Sequence, residues 1–142
     1  MRRLFIMRKD LAMSPGKLAA QVAHCAEAYW TRQILANAVK QADQPLYVSA
    51  VETDEATYQE YLCGPYVKTI CEARNKNHLL KAKESALALG LAEGVDFGLI
   101  YDKCLTELEP EEEDGTTLTG IWFKPLPDDV AHDISKKYQL YR

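Results

Sequence analysis

The chain has 142 residues and a formal net charge of −4 at pH 7. This length suits a single domain that buries a core without metal or disulfide support, so residues 1–142 are predicted to form one domain. A hydrophobic fraction of 47% and a charged fraction of 27% exclude a wholly disordered chain. No apolar run reaches the roughly 20 residues of a membrane span, so no membrane protein is expected.

Charge is distributed unevenly along the chain. Residues 1–40 hold seven Lys or Arg and only two acidic residues, whereas the remainder is acidic. An acidic protein binds nucleic acid poorly in general, but a basic N-terminal region is able to contact phosphate locally. The alternative is that these basic residues only protect the end of a strand.

The four cysteines, at positions 25, 63, 71 and 104, form no Cys-x-x-Cys spacing. This argues against a zinc module. Because the first residues do not resemble a signal peptide, we expect a cytoplasmic protein with reduced thiols.

The first half of the chain is predicted to begin with a strand and a long helix. Residues 3–8 are apolar on both faces, which is typical of a central strand covered on both sides. Ser14 and Pro15 form a helix start, with Ser as N-cap and Pro at the first helical position, and the helix is expected to end at Asn37 or Lys40. After a turn at 41–45, we expect a strand over 46–51 and a helix over 53–62.

The second half continues the alternation of strands and helices. Strands are predicted over 66–73, 97–101 and 117–123, helices over 75–89 and 127–138, and an acidic loop over 107–115. This order predicts the α/β class. We expect a three-layer α/β/α domain with a mixed sheet of four to five strands.

Three polar residues share one face of the first helix. Lys17, Gln21 and His24 are spaced i, i+4 and i+7, which places them within roughly 60° of one another. Lys17 lies in the first turn, where the helix dipole favours an anion over a cation, so a lysine there indicates anion handling, for example of phosphate. The alternative is a solvated helix face with His24 half buried.

Two further groups follow predicted strands. Asp102 comes directly after the strand at 97–101, with Thr106 nearby, and sites in open α/β folds lie outside the carboxyl ends of strands. An aspartate there acts as a general base or orients a cation, unless it only starts a turn. Thr116 and Thr117, with Thr119, form the third group, for which ordinary strand composition is the alternative.

Residues 8–26 closely resemble the signature of the type 2 peptidyl-tRNA hydrolases. That family shows Arg-x-Asp-Leu-x-Met and then Gly-Lys-x-Ala-Ala-Gln-x-x-His-Ala at this place, and the chain carries Arg8-Lys9-Asp10-Leu11-Ala12-Met13 and Gly16-Lys17-Leu18-Ala19-Ala20-Gln21-Val22-Ala23-His24-Cys25-Ala26. Residues 66–73, 75–90, 99–102 and 115–125 resemble the family's later strands, helix and second motif in the same order. The resemblance covers most of the chain.

The resemblance implies hydrolysis of the ester between a peptide and tRNA, with tRNA as partner, no cofactor, no metal and a tendency to form homodimers. Lys17 would bind phosphate or stabilise the oxyanion, and Asp102 would hold or activate water. An oxyanion-stabilising group contributes on the order of 3 kcal/mol. Thr106 and Thr117 would join Lys17 and Asp102 as catalytic residues that orient the substrate, and Gln21 and His24 would bind it, as would Thr116, one residue from Thr117. Arg8 and Lys9 would meet the acceptor stem, and four later residues are candidates to extend that basic surface: Arg74, Lys76, Lys81 and Lys83.

The chain departs from the family pattern after Asp102. Lys103 and Cys104 stand where the family has Ala-Gly. Glycine there indicates a tight turn, and Lys103 is expected to lower the pKa of Asp102. The next loop is longer and carries six acidic residues, which are expected to repel tRNA phosphate: Glu107, Glu109, Glu111, Glu112, Glu113 and Asp114.

These departures leave two other hypotheses open. One is a non-catalytic or re-purposed member that binds a tRNA end, a nucleotide or a protein partner. The other is a hydrolase of small acyl esters that uses no RNA.

Overall fold

A computed structural model describes all 142 residues and contains seven strands, three α-helices and one short π-helix. None of the helices combines the length and apolar character that crossing a membrane requires. In chain order the elements are β1 (Arg3–Arg8), α1 (Pro15–Asn37), β2 (Val39–Lys40), β3 (Tyr47–Val48), the π-helix (Thr57–Leu62), β4 (Lys68–Ala73), α2 (Lys76–Ala88), β5 (Phe97–Asp102), β6 (Thr117–Phe123), α3 (Asp128–Ser135) and β7 (Gln139–Leu140).

Five strands form one mixed sheet in the order β5-β6-β1-β4-β7. Strands β1 and β4 pair in parallel, with Leu4 opposite Thr69 and Arg8 opposite Ala73. The other three pairs are antiparallel. All six residues of β1 are buried, which confirms the predicted central strand. The predicted α/β class with a mixed sheet is also confirmed.

The helices cover the sheet on both faces. On one face, α1 packs Cys25 and Tyr29 against Phe5, Met7 and Trp122. On the other face, α2 and α3 pack against a larger cluster from β1, β4, β5 and β6, which includes Leu4, Ile6, Leu79, Ala82, Phe97, Ile121, Phe123 and Ile134. The strand side chains alternate between these two clusters, so the three-layer arrangement follows directly from the apolar pattern of β1.

The start of α1 follows the prediction closely. The Ser14 hydroxyl accepts a hydrogen bond from the backbone N–H of Lys17, and Pro15 is the first helical residue. A serine cap satisfies one of the free N–H groups of the first turn, and proline has no N–H to satisfy. The first turn therefore holds Lys17 in a fixed place above the sheet.

The segment between α1 and β4 differs from the prediction. The strand expected over 46–51 is reduced to β3, which forms a separate two-stranded hairpin with β2. The Asn37 side chain donates to the carbonyl of Ala50 and accepts from its N–H. The main chain of Ala50 is therefore paired with a side chain of α1 and not with a neighbouring strand. The helix expected over 53–62 is the π-helix, at whose start Asp54 accepts from the N–H and hydroxyl of Thr57.

The chain end also differs from the prediction. Helix α3 ends at Ser135 rather than near Tyr138, because the following residues form β7 and pair with the outer edge of β4. This pairing places Leu140 opposite Cys71 and closes that edge of the sheet. The opposite edge, formed by β5, has no further strand beside it.

Candidate active site

Three strand ends and a helix start meet at one edge of the sheet. Strand β5 is antiparallel to β6, and β6 is antiparallel to β1, so β5 runs in the same direction as β1 and β4. Their carboxyl ends, at Arg8, Ala73 and Asp102, therefore lie at the same edge, close to the N-terminus of α1. This is where open α/β sheets bind ligands.

Lys17 and Asp102 form an ion pair across this edge. The Lys17 ammonium lies 2.8 Å from Asp102 Oδ1 and also donates to the Thr106 hydroxyl at 3.1 Å. The side chains of Lys17 and Asp102 are only 12% and 10% exposed. The structure thus brings together three of the residues that the sequence suggested, on α1, at the end of β5 and in the loop after it.

Gln21 supports this pair from inside the protein. Its Nε2 donates to Asp102 Oδ1 at 2.9 Å, and its Oε1 accepts from the Thr119 hydroxyl at 2.6 Å. Gln21 is 1% exposed, so it does not lie on an open helix face with Lys17 and His24 as the spacing suggested. Because both polar ends of the buried amide are occupied, Gln21 positions Asp102.

Thr119 is a site residue that the sequence indicates only weakly. Threonine is common in strands, so its presence in β6 carried little information. The available signal was the spacing of two between Thr117 and Thr119, which places two hydroxyls on one face of an otherwise apolar, fully buried strand. Buried hydroxyls need hydrogen-bond partners, and that requirement points to a polar site.

The pKa of Asp102 is lowered from its ordinary value. Burial alone would raise this pKa, but the Lys17 ammonium, the backbone N–H of Cys104 and the Gln21 amide together outweigh it. Lys103 makes no hydrogen bond or ion pair with the carboxylate, so the expected influence of Lys103 is replaced by that of Lys17. The carboxylate is therefore ionised at neutral pH.

Cys104 forms the tight turn that a glycine at this position would form. Its φ is +56°, in the left-handed region that favours glycine. This conformation lets the Cys104 N–H donate to Asp102 Oδ2 at 2.9 Å. A non-glycine residue in this region costs roughly 1–2 kcal/mol, which the bond to a charged oxygen offsets. The turn is thus formed despite the departure from the family pattern.

An open pocket of about 740 Å³ extends from the ion pair along the groove between α1 and β5. His24 lies along this pocket, one to two helical turns beyond Lys17 and Gln21. The pocket is lined by Lys17, His24, Glu27, Ala28, Thr31, Leu99, Ile100, Tyr101, Asp102, Lys103, Leu105 and Thr106. The Lys17–Asp102 pair therefore faces a space large enough for part of a substrate.

Thr116 and Thr117, at the start of β6, form hydrogen bonds with the acidic loop rather than with the Lys17–Asp102 pair. Thr117 is fully buried, and its hydroxyl donates to the carbonyl of Glu109 and accepts from the N–H of Glu111. The Thr116 hydroxyl donates to Asp114. Neither threonine lines the pocket, so the structure does not bring them together with Lys17 and Asp102.

The two basic residues predicted to meet tRNA are also bound within the fold. Arg8 is 3% exposed and donates to Asp10, Glu111 and the carbonyl of Leu118. Lys9 donates to the carbonyl of Arg142 and lies 3.5 Å from a carboxylate oxygen of Glu72. The buried guanidinium of Arg8 has no open face toward the pocket.

Three acids of the loop after β5 have internal partners, and for two of them the partner is a cation. Glu107 accepts from the N–H and hydroxyl of Ser14 at the start of α1, Glu111 pairs with Arg8, and Glu112 pairs with Lys76. The predicted repulsion of tRNA by this loop is therefore weaker than its composition suggests, because these charges already have partners.

Lys17 should control the pKa of Asp102. In Lys17→Met the carboxylate keeps its burial but loses its main partner, so its pKa should rise. Because this pKa is lower in the folded protein than in the unfolded chain, ionised Asp102 stabilises the fold above the ordinary Asp pKa, and the contribution is lost as pH falls through the folded value. In Lys17→Met the loss of this contribution to stability should begin at a higher pH than in the wild-type protein.

The measurement is a carboxyl ¹³C NMR titration of Asp102, with urea unfolding at several pH values. Lys103→Met is the matched control, because it removes a neighbouring lysine that does not contact the carboxylate. An equal rise in the two variants would contradict the assignment of the lowered pKa to Lys17.

Comparison with known proteins agrees with this geometry. The family model described as peptidyl-tRNA hydrolase PTH2 matches residues 1–141. A peptidyl-tRNA hydrolase of Thermococcus onnurineus is 28% identical over 139 residues, which cover 98% of this chain and 96% of that protein. One of Methanopyrus kandleri is 31% identical over 109 residues, covering 77% and 75% of the two chains. Since the family model spans almost the whole sequence, the chain belongs to the peptidyl-tRNA hydrolase PTH2 family.

Proposed function

We propose that the chain hydrolyses the ester bond between peptide and tRNA in peptidyl-tRNA, with Lys17 and Asp102 as the catalytic residues. The observation that carries this proposal is the Lys17–Asp102 pair at the carboxyl edge of the sheet, in a member of a family of hydrolases. The pair is nearly buried, which strengthens its electrostatic interactions, and it faces a pocket that is large enough for part of a substrate.

Asp102 orients the attacking water in this mechanism. Its carboxylate is ionised and held by three donors, so it accepts a hydrogen bond from water and directs the water oxygen at the ester carbonyl. The low pKa makes it a weak base. We therefore assign it mainly an orienting and electrostatic role, with the proton passing to the ribose oxygen as that oxygen leaves.

Lys17 stabilises the negative charge that develops on the carbonyl oxygen. The attack of water forms a tetrahedral centre whose oxyanion is matched by the ammonium group, and such a donor contributes on the order of 3 kcal/mol to the transition state. Thr106 accepts from Lys17 and limits the positions that the ammonium can take. His24, farther along the pocket, is a candidate for contact with the bound substrate.

A cationic cleft at the same edge of the sheet supports tRNA as the substrate. Two adjoining cavities of about 320 and 440 Å³ share Arg74, His78 and Lys137, and Lys81 lines the second. Glu72 and Glu84 also border them. No carboxylate pairs with the three basic side chains Arg74, Lys81 and Lys137, which leaves them able to bind phosphate.

The position of this cleft suits an extended nucleic acid. Arg74 follows the end of β4, which is three strands away from β5, so the ends of these two strands lie roughly 14 Å apart along the sheet edge. Burial, together with Arg74 and Lys81, lowers the pKa of His78, so this histidine is neutral at pH 7. We assign the three basic side chains to the tRNA backbone.

The alternative of a non-catalytic member has no observation in its favour at the site. The altered turn at Lys103 and Cys104 keeps its hydrogen bond to Asp102. A homodimer and a cytoplasmic location stay predictions. This proposal gives no role in catalysis or substrate binding to four residues whose polar groups have other partners: Thr116, Thr117, Arg8 and Lys9.

Removal of either catalytic side chain should abolish turnover. With an N-acetylated aminoacyl-tRNA as substrate, Asp102→Asn and Lys17→Ala should each lower kcat/KM by about 100-fold or more. Release of the blocked amino acid is the measurement, and Lys83→Ala, which changes a lysine outside the pocket, is the control that should retain activity. If Lys17→Ala keeps wild-type turnover, the role given to Lys17 is wrong.

The cationic cleft should contribute to tRNA binding without affecting chemistry. Arg74→Ala combined with Lys137→Ala should raise KM for peptidyl-tRNA, leave kcat unchanged, and reduce the dependence of log affinity on log salt by about 0.7–0.9 for each lost phosphate contact. Lys83→Ala is the matched control, since Lys83 is paired with Glu93. An unchanged salt dependence in the double variant would remove the cleft from the tRNA interface.

A further inference from the structure

The active-site pocket lies along a free edge of the sheet. Strand β5 is the first strand of the sheet, and β6 is its only strand partner; one isolated bridge joins Phe97, at its start, to Glu93. The pocket is lined by five consecutive residues, Leu99 to Lys103. Because successive side chains of a strand point to opposite faces, a cavity that touches all of them runs along the strand's edge, where the main chain is exposed.

Two residues of this edge have unpaired main-chain groups. The carbonyl of Phe97 accepts from the N–H of Gly94, which lies outside the sheet, whereas the carbonyl of Ile100 accepts from Thr119 of β6. Since the direction of these groups alternates along a strand, Leu99 and Tyr101 direct their N–H and C=O groups away from β6.

The irregularity in this strand pair does not change that alternation. Ile100 is opposite Gly120 and Tyr101 is opposite Leu118, so the extra residue is Thr119 of β6. Strand β5 itself is continuous, and its outward groups face the groove whose other wall is α1.

We propose that this groove binds the peptide part of the substrate as an added parallel strand, hydrogen-bonded to the main chain of Leu99 and Tyr101. The inference rests on the proposed function, which places the ester of the substrate at Asp102. Asp102 is the carboxyl end of β5. The peptide residues that precede the ester therefore pass Tyr101 and then Leu99, so the peptide runs in the same direction as β5.

Main-chain pairing fits a substrate whose peptide sequence varies. An added strand is held through its backbone, and its side chains point alternately to the two sides. Here one side meets α1, with Ala28 and Thr31, and the other is open to solvent near the exposed Tyr101. The edge from Leu99 to Asp102 is about 10 Å long, which matches three to four extended residues.

The test compares N-acetylated peptidyl-tRNAs that carry one, two, three and five amino acids. In the wild-type protein, kcat/KM should rise with length up to three or four residues and then level, by about threefold to tenfold for each main-chain hydrogen bond gained. Tyr101→Pro removes one outward N–H without removing a bond to β6, so it should flatten this dependence. Tyr101→Ala keeps the N–H and should preserve it.

A second route removes another bond of the same added strand, one that a substrate N–H donates to an outward carbonyl of β5. An ester in place of the amide nearest the tRNA deletes one N–H of the peptide, and it should lower kcat/KM of the wild-type protein by a similar factor. This arm stands even if Tyr101→Pro does not fold, which circular dichroism would reveal.

Three results would overturn the inference. The first is hydrolysis of the one-residue substrate with no dependence on length in the wild-type protein, which leaves the proposed function intact. The second is an equal loss in Tyr101→Pro and Tyr101→Ala, which would assign the effect to the ring. The third is a dimer, seen by sedimentation, that Tyr101→Pro dissociates, which would assign the edge to a second copy of the chain. Absence of hydrolysis with every substrate would instead overturn the proposed function, and this inference with it.

Discussion

The Asp102 carboxylate is the point on which the candidate site depends. It is almost buried, and a buried charge is costly unless it is paired and hydrogen-bonded. Its donors come from different elements: Lys17 and Gln21 from α1, and the N–H of Cys104 from the loop after β5. Thr119 of β6 holds Gln21 in turn. The same contacts therefore fix α1 against the sheet and arrange the groups to which the proposed mechanism assigns the hydrolysis.

The charges of the chain are used in two separate ways. The N-terminal region is basic, but much of its charge serves the fold. Arg3 is 1% exposed and donates to backbone carbonyls of α1 and β6, and Arg8 binds the acidic loop. The cations left open at the active edge come from later segments, at Arg74 and Lys137. The charge of the N-terminal segment therefore misplaces the main surface that would meet phosphate, whereas Arg74 and Lys81, expected only to extend that surface, line the cleft.

Much of the fold and half of the site follow from the sequence. The apolar run of β1 and the Ser14–Pro15 start of α1 are local signals, and each is confirmed. The end of a strand near Asp102 is also a local signal, although β5 includes Asp102 and so ends one residue later than predicted. The burial of Gln21 and the role of Thr119 are not local. Helical spacing gives the angle between Gln21 and Lys17, but it does not show that β6 packs against this part of α1 and buries Gln21. Such contacts join residues almost 100 positions apart.

The most direct test of this account concerns Thr119, because it touches Asp102 only through Gln21. With N-acetylated aminoacyl-tRNA as substrate, Thr119→Val should lower kcat by about tenfold, as expected for loss of one buried hydrogen bond that positions a catalytic group, and leave KM unchanged. Thr119→Ser, which restores the hydroxyl, should recover kcat. A valine variant with wild-type kcat, or a loss that serine does not restore, would contradict the account.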